Sequence, residues 1–225
     1  IIIGGAAFNP EVEAFLKRIK FRFTVGYGMT ECGPLISYSP WEKYRGGSAG
    51  KLIYHLEGKI DSSDPQNKLG EIMVKGENVM LGYYKNEEAT REVLSEDGWL
   101  RTGDMGIMDT DQHIYIKGRS KNMILSPAGQ NIYPEELEAK LNNYGIISES
   151  LILDRENKVV GLTYLDQEYI KENNLDGEEI KTELENVRKS INKVLPSYAQ
   201  IVKLEAHEEE FIKTPTMKIR RFNYK

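Results

Sequence analysis

The 225-residue sequence holds one cysteine, Cys32, two tryptophans and three histidines. A single cysteine closes no internal disulfide, which favours a reducing compartment and gives the expectation of a cytoplasmic protein. No apolar run approaches the ~20 residues that cross a bilayer as a helix. The opening Ile1-Ile2-Ile3-Gly4-Gly5 has neither the basic leader nor the length of a signal-peptide core, and no methionine precedes it. The sequence therefore reads as a piece excised from a longer chain. An excess of one charge is also missing. Thirty basic against 35 acidic residues leave a net charge of -5, which gives no electrostatic case for nucleic acid or an anionic membrane as a general partner. Repeats and low-complexity tracts are absent. What is present, 40% hydrophobic and 29% charged residues, suits a folded globular chain with one large domain or two small ones.

Three stretches differ in pattern. Residues 1–45 read as a βαβ-like piece. Ile1 to Ile3 are an apolar run of the kind buried in a parallel sheet. Asn9-Pro10 supplies a helix N-cap and a first-turn proline, and Val12, Phe15, Leu16 and Ile19 follow on one helical face. Phe21 to Val25 returns as a strand. Residues 46–118 are short extended pieces punctuated by glycine, with Asp109-Thr110-Asp111-Gln112 as a hairpin turn and a helix over Asn86 to Leu94. This predicts a small antiparallel sheet or barrel. From residue 119 the pattern is α+β: a helix opened by Pro134, strands at Ser150–Leu153, Val159–Leu165 and Ile201–Leu204, and an amphipathic helix through Ile180, Leu184, Val187, Ile191 and Val194 that Pro196 stops.

Four segments can carry chemistry, and each also has an ordinary structural reading. Tyr27-Gly28-Met29-Thr30-Glu31 offers an aromatic plate for a purine, a hydroxyl for a phosphate and a carboxylate for magnesium; equally, it is a strand exit with a buried tyrosine. Asp97-Gly98-Trp99-Leu100-Arg101-Thr102-Gly103-Asp104 reads as two glycine turns flanking a tryptophan. Asp104 there can accept from both ribose hydroxyls, or serve only as a turn former. Gly118-Arg119-Ser120-Lys121, continuing through Gly129 to Glu136, is either a hinge and loop or a solvated linker. Thr214-Pro215-Thr216-Met217-Lys218-Ile219-Arg220-Arg221 presents Lys218 to a phosphate, or is a basic tail.

Taken in order, these segments resemble one family. Ile3-Gly4-Gly5-Ala6-Ala7, Tyr27-Gly28-Met29-Thr30-Glu31, Thr102-Gly103-Asp104, Gly118-Arg119-Ser120-Lys121 and Pro215-Thr216-Met217-Lys218 look like successive core motifs of the adenylate-forming superfamily. That superfamily includes acyl-CoA synthetases, peptide synthetase adenylation domains and beetle luciferases. The stretch from Asp97 to Glu138 is similar to the fatty acyl-CoA synthetase signature.

The resemblance implies ATP, Mg2+ and coenzyme A as reactants or cofactors, and a long-chain fatty acid–CoA ligase activity of which this piece alone is inactive. It implies the end of a large α/β adenylation domain with a barrel-like β subdomain over 1–118, and a mobile α+β domain over 119–225. It places Tyr27 on the adenine, with Gly5, Ala6, Gly28 and Ile116 beside the nucleotide. Thr30 falls on the α-phosphate, Glu31 on the metal, and Asp104 and Arg119 on the ribose. Lys121 matches the hinge, Ala128 and Gly129 the coenzyme A tunnel, and Lys218 the lysine that bridges carboxylate and phosphate, so that Lys218, Thr30 and Glu31 are the catalytic set. A lipid substrate would also bring the whole enzyme to a membrane surface. Two alternatives stay open: transfer to an acyl carrier protein, and a nucleotide-binding module without turnover. Two departures stand out. The Gly/Ser/Thr-rich phosphate loop of the family is absent, and Met217 stands where many relatives have glycine.

Overall fold

A computed structural model describes residues 1–215 and 217–224. It is a mixed α/β chain that divides into two compact units, 1–121 and 122–225. The sequence boundary at Gly118–Arg119 and this division differ by a 3-10 turn, Ser120–Asn122.

The first unit begins with β1 (Ile2–Ile3), α1 (Pro10–Arg18) and β2 (Thr24–Val25), and β1 pairs with β2 in parallel. The Asn9 side chain accepts from the Glu11 and Val12 amides, so the cap forms as the sequence predicts. Burial does not follow. Ile1 and Ile2 are 74% and 65% exposed, and Val12, Phe15 and Ile19 of the helical stripe are also exposed. The buried residue of α1 is instead Glu13, whose carboxylate accepts from Lys17 Nζ at 2.5 Å and from the Gly47 amide. An amide on a positive-φ glycine (Gly47, φ 73°) draws the acid inward, which apolar periodicity does not reveal.

Next come β3 (Tyr27–Gly28), β4 (Leu35–Ser37), β5 (Leu56–Asp61), β6 (Gly70–Gly76), α2 (Glu87–Val93), β7 (Leu100–Met108) and β8 (Ile114–Arg119). β5 to β8 form an antiparallel meander in sequence order. The segment at 49–53 then bonds to both neighbours: Ala49 N–H donates to Ile114 O, Leu52 N–H to Gln112 O and Ile53 N–H to Ile36 O. This segment leads directly into β5, and the four strands themselves remain an open sheet with β5 and β8 unpaired to each other. Leu52, Leu56, Ile60, Ile72, Val74, Leu100 and Ile114 form its apolar core together with Ile36 and Cys32. The Asp109–Gln112 turn joins β7 to β8 as expected, with Asp109 Oδ1 accepting from the Asp111 and His113 amides.

The second unit contains β9 (Ile124–Leu125), β10 (Asn131–Ile132), α3 (Pro134–Leu141), β11 (Ile147–Arg155), β12 (Lys158–Leu165), α4 (Gln167–Glu172), α5 (Gly177–Asn192) and β13 (Lys203–His207). The expected strand at Ile201–Leu204 begins two residues later, because Ile201 is fully buried ahead of it and its amide is held by the Asn192 side chain. β12 lies between antiparallel β11 and parallel β13. A reciprocal Asp176–Glu179 capping box starts α5. Its Leu184, Val187 and Ile191 pack with Leu137 and Leu141 of α3 against Ile152, each burial being worth about 1.5–3 kcal/mol. Leu151 and Leu153, at alternate positions of β11, join Leu162 and Phe211 in a second apolar layer.

Candidate nucleotide site and the lysine hairpin

The first unit builds its site on an irregularity in β7. Thr102-Gly103-Asp104 is not the turn that the glycine suggests. It lies inside a nine-residue strand. Glu71 pairs with Met105 and Met73 with Arg101, so one residue of β6 faces three of β7. Such a bulge re-aims a side chain. Gly103 takes a φ of 73°, which a residue with a Cβ adopts only under strain. Three bonds fix the bulge. The Gly103 amide donates to Glu71 Oε1 at 2.9 Å, the Thr102 hydroxyl to Ile72 O at 2.8 Å, and the Asp104 amide to Thr102 Oγ1 at 3.1 Å. Glu71 and Thr102 were not among the sequence candidates. Only the position of Thr102 beside the Gly-Asp pair hinted at it.

Asp104 is thereby buried beside Tyr27 and Arg119. The Tyr27 hydroxyl donates to Asp104 Oδ2 at 2.5 Å, and Arg119 Nε lies 2.8 Å from Oδ1. Asp104 and Arg119 are direct cross-strand partners of β7 and β8. Burial, and then the Asp104 charge, pushes the Tyr27 hydroxyl well above the ordinary tyrosine range, so it stays a donor. Ile116, one pleat before Gly118 on β8, packs partly buried against the apolar core of this sheet.

The Thr30–Cys32 turn follows β3. Gly28 permits it, since a Cβ there would come within 2.0 Å of Pro34 O. Thr30 is exposed. Glu31 is tied on both main chain and side chain: the Met80 amide donates to its carbonyl and the Tyr83 hydroxyl to Oε1, each at 2.8 Å. Asn78 Nδ2 donates to Cys32 O at 2.7 Å, so the segment after β6 clamps this turn. Gly5 and Ala6 are exposed just beyond β1, with Gly5 at φ 91°. The Gly26 amide bonds Ile3 O, which sets that loop beside the strand leading to Tyr27. The unit thus joins Tyr27, Asp104 and Arg119 directly, and Glu31 to Tyr83.

In the second unit, β9 and β10 form a hairpin with Ala128 and Gly129 exposed at its tip. Gly129 has φ 74°, and its amide donates to Ser126 O. Lys218 is exposed on a second hairpin. Lys213 bridges Ile219, the Thr214 amide donates to Lys218 O, and the Lys218 amide to Thr214 Oγ1 at 3.2 Å. Thr216 of this motif lies outside the described residues. Met217 sits at φ 61°. Lys121 is exposed in the turn at the division between the units. No helix is long and apolar enough to cross a membrane among the described residues.

Residues 1–84 match the model of the AMP-binding enzyme family. A probable 4-coumarate–CoA ligase 3 of Dictyostelium discoideum is 40% identical over 161 residues, 68% of this chain and 29% of that protein. A long-chain-fatty-acid–CoA ligase of Salmonella typhimurium is 41% identical over 146 residues, 63% of this chain and 26% of its own length. The o-succinylbenzoate coenzyme A synthetase of Bacillus subtilis, solved in complex with AMP, superposes with a TM-score of 0.81 at 27% identity, over 100% of this chain and 45% of that one. The chain spans less than half the length of each of these relatives. With the ordered motifs, the bulge-mounted aspartate and these likenesses together, the chain belongs to the adenylate-forming superfamily of AMP-binding enzymes.

Proposed function

We propose that the chain supplies the ribose, adenine and hinge parts of an AMP-forming acid–thiol ligase. The observation that carries this reading is Asp104, buried on the β7 bulge between the Tyr27 hydroxyl and the half-exposed Arg119. A carboxylate with two acceptor oxygens suits a vicinal diol, and Arg119 pairs with it at 2.8 Å. Tyr27 offers its ring to the purine while its hydroxyl orients Asp104.

In the first half-reaction a substrate carboxylate oxygen attacks the α-phosphorus of ATP, forming acyl-AMP and releasing pyrophosphate. Lys218, on its exposed hairpin, would neutralise the negative charge that gathers there. In the second, the thiolate of coenzyme A attacks the acyl carbonyl and AMP leaves, with the Ala128–Gly129 tip lining its approach after a rotation about Lys121. Glu31 fits Mg2+, which takes one or two carboxylates and completes its shell from substrate phosphates and water. Bound there, the ion would offset phosphate charge. Tyr83 would hold one carboxylate oxygen of Glu31 and orient the other.

Within this class a long-chain fatty acid in the cytoplasm is our reading of the acyl substrate and setting. The similarity of the Asp97–Glu138 stretch to the fatty acyl-CoA synthetase signature supports it. The test is pyrophosphate exchange and thioester formation by the full-length gene product, with palmitate, 4-coumarate and o-succinylbenzoate compared. Palmitate should give the highest kcat/KM. Preference for an aromatic acid sinks the fatty-acid assignment, and a lack of exchange on every acid sinks the ligase reading. Exchange without thioester formation would point to a carrier protein as acceptor.

A further inference from the structure

Arg221 lies three residues beyond Lys218, where the C-terminal hairpin meets α3. Ile219 and Tyr224 lay the hairpin against the Leu151, Leu153 and Phe211 cluster, an apolar contact without direction of its own. Directional polar bonds add to it. Arg221 pairs with Glu138 and donates from Nη1 to Ile152 O at 3.2 Å. Glu138 Oε1 accepts from the Ile152 amide at 2.7 Å, so the carboxylate and guanidinium grip the same residue of β11. Arg221 Nη2 also lies 3.9 Å from Glu135 Oε1, which accepts from Asn122 Nδ2 at 2.6 Å. The Arg221 and Glu138 side chains are only 16% and 12% exposed. A buried pair of this kind contributes little net stability compared with apolar packing; what it supplies is a unique geometry.

We propose that Arg221 is the positioning residue for Lys218. Through Glu138 it fixes the hairpin on β11, and through Glu135 it ties the hairpin to Asn122, the residue after the hinge position. The lysine and the hinge-side end of the second unit then move as one piece. This inference rests on the role proposed above for Lys218. The planar fork of arginine suits the site, since it reaches Glu138 and Ile152 O together and lysine cannot.

The test is a double-mutant cycle in the full-length enzyme. Arg221→Lys, Lys218→Ala and their combination are assayed for pyrophosphate exchange and, separately, for thioester formation from preformed acyl-AMP. Arg221→Lys should slow exchange by about 10- to 100-fold, the scale of an ångström misplacement of a reacting group. It should leave thioester formation within about twofold, and add less than about twofold once Lys218 is already alanine. Equal slowing of both half-reactions, undiminished slowing in the Lys218→Ala background, or no slowing at all would each overturn the proposal. Glu138→Gln, which keeps the acceptor for the Ile152 amide, carries the same comparison if Arg221→Lys fails to fold. If Lys218→Ala leaves exchange at the wild-type rate, the Lys218 assignment fails and this inference with it. A wild-type enzyme with no exchange on any acid would instead be a failure of the ligase reading.

Discussion

Tyr27 and Asp104 are 77 residues apart in sequence, and the hydroxyl of one donates to the carboxylate of the other at 2.5 Å inside the protein. Burial and the adjacent charge raise the folded-state ionisation of Tyr27 above its unfolded value near 10. Its contribution to stability is therefore fully present below about pH 10 and is lost as pH rises beyond that. Tyr27→Phe should cost about 1.5–3 kcal/mol at pH 8, the usual worth of a hydrogen bond to a charged group. The gap between variant and wild type should narrow between pH 10 and 11. Urea midpoints across that range measure it, and a gap that widens with pH would contradict the assigned direction.

Gly103 and Gly47 both have φ 73° and both tolerate a Cβ sterically, but only Gly103 stands beside Asp104. Alanine at either position should cost about 1–2 kcal/mol through left-handed strain. Titration calorimetry with AMP should distinguish them. Gly103→Ala should weaken binding severalfold, while Gly47→Ala keeps wild-type affinity. Equal affinities would show that the bulge does not set the nucleotide site.

Cys32 is completely buried, and burial, followed by the Glu31 charge, pushes its thiol up to about 11. The thiolate is the reactive form. At pH 8 the native chain should therefore resist an aromatic disulfide reagent, and release one equivalent in concentrated guanidinium chloride. Rapid labelling of the native protein would show that the Thr30–Cys32 turn opens.

Met217 holds a left-handed backbone with a side chain that is 71% exposed, so little packing offsets its strain. Met217→Gly should raise stability by about 0.5–1 kcal/mol, the left-handed penalty less the added chain entropy of glycine. A lower urea midpoint for the variant would refute this.

Local chemistry was readable from sequence where it stays local. Asn9-Pro10, Asp109 and the α5 stripe form the cap, turn and buried face that their residue types dictate. Contacts across the sheet were not readable. The Thr102–Asp104 bulge passed for a turn because a glycine beside an aspartate fits both, and only pairing with β6 distinguishes them. The stripe Val12, Phe15, Leu16 and Ile19 reads as the buried face of its helix, yet Val12, Phe15 and Ile19 are exposed and Glu13 is buried. Arg221 passed for part of a basic tail, since its acidic partner is 83 residues away.

Within the bulge, two main-chain amides donate to side-chain oxygens: Gly103 to Glu71, and Asp104 to Thr102. Their deuterium uptake should therefore respond to the Glu71 and Thr102 side chains, which border the proposed nucleotide site. If a nucleotide binds as proposed, these amides would form an intrinsic gauge of site occupancy, which exchange or NMR experiments can follow without a label as AMP is added.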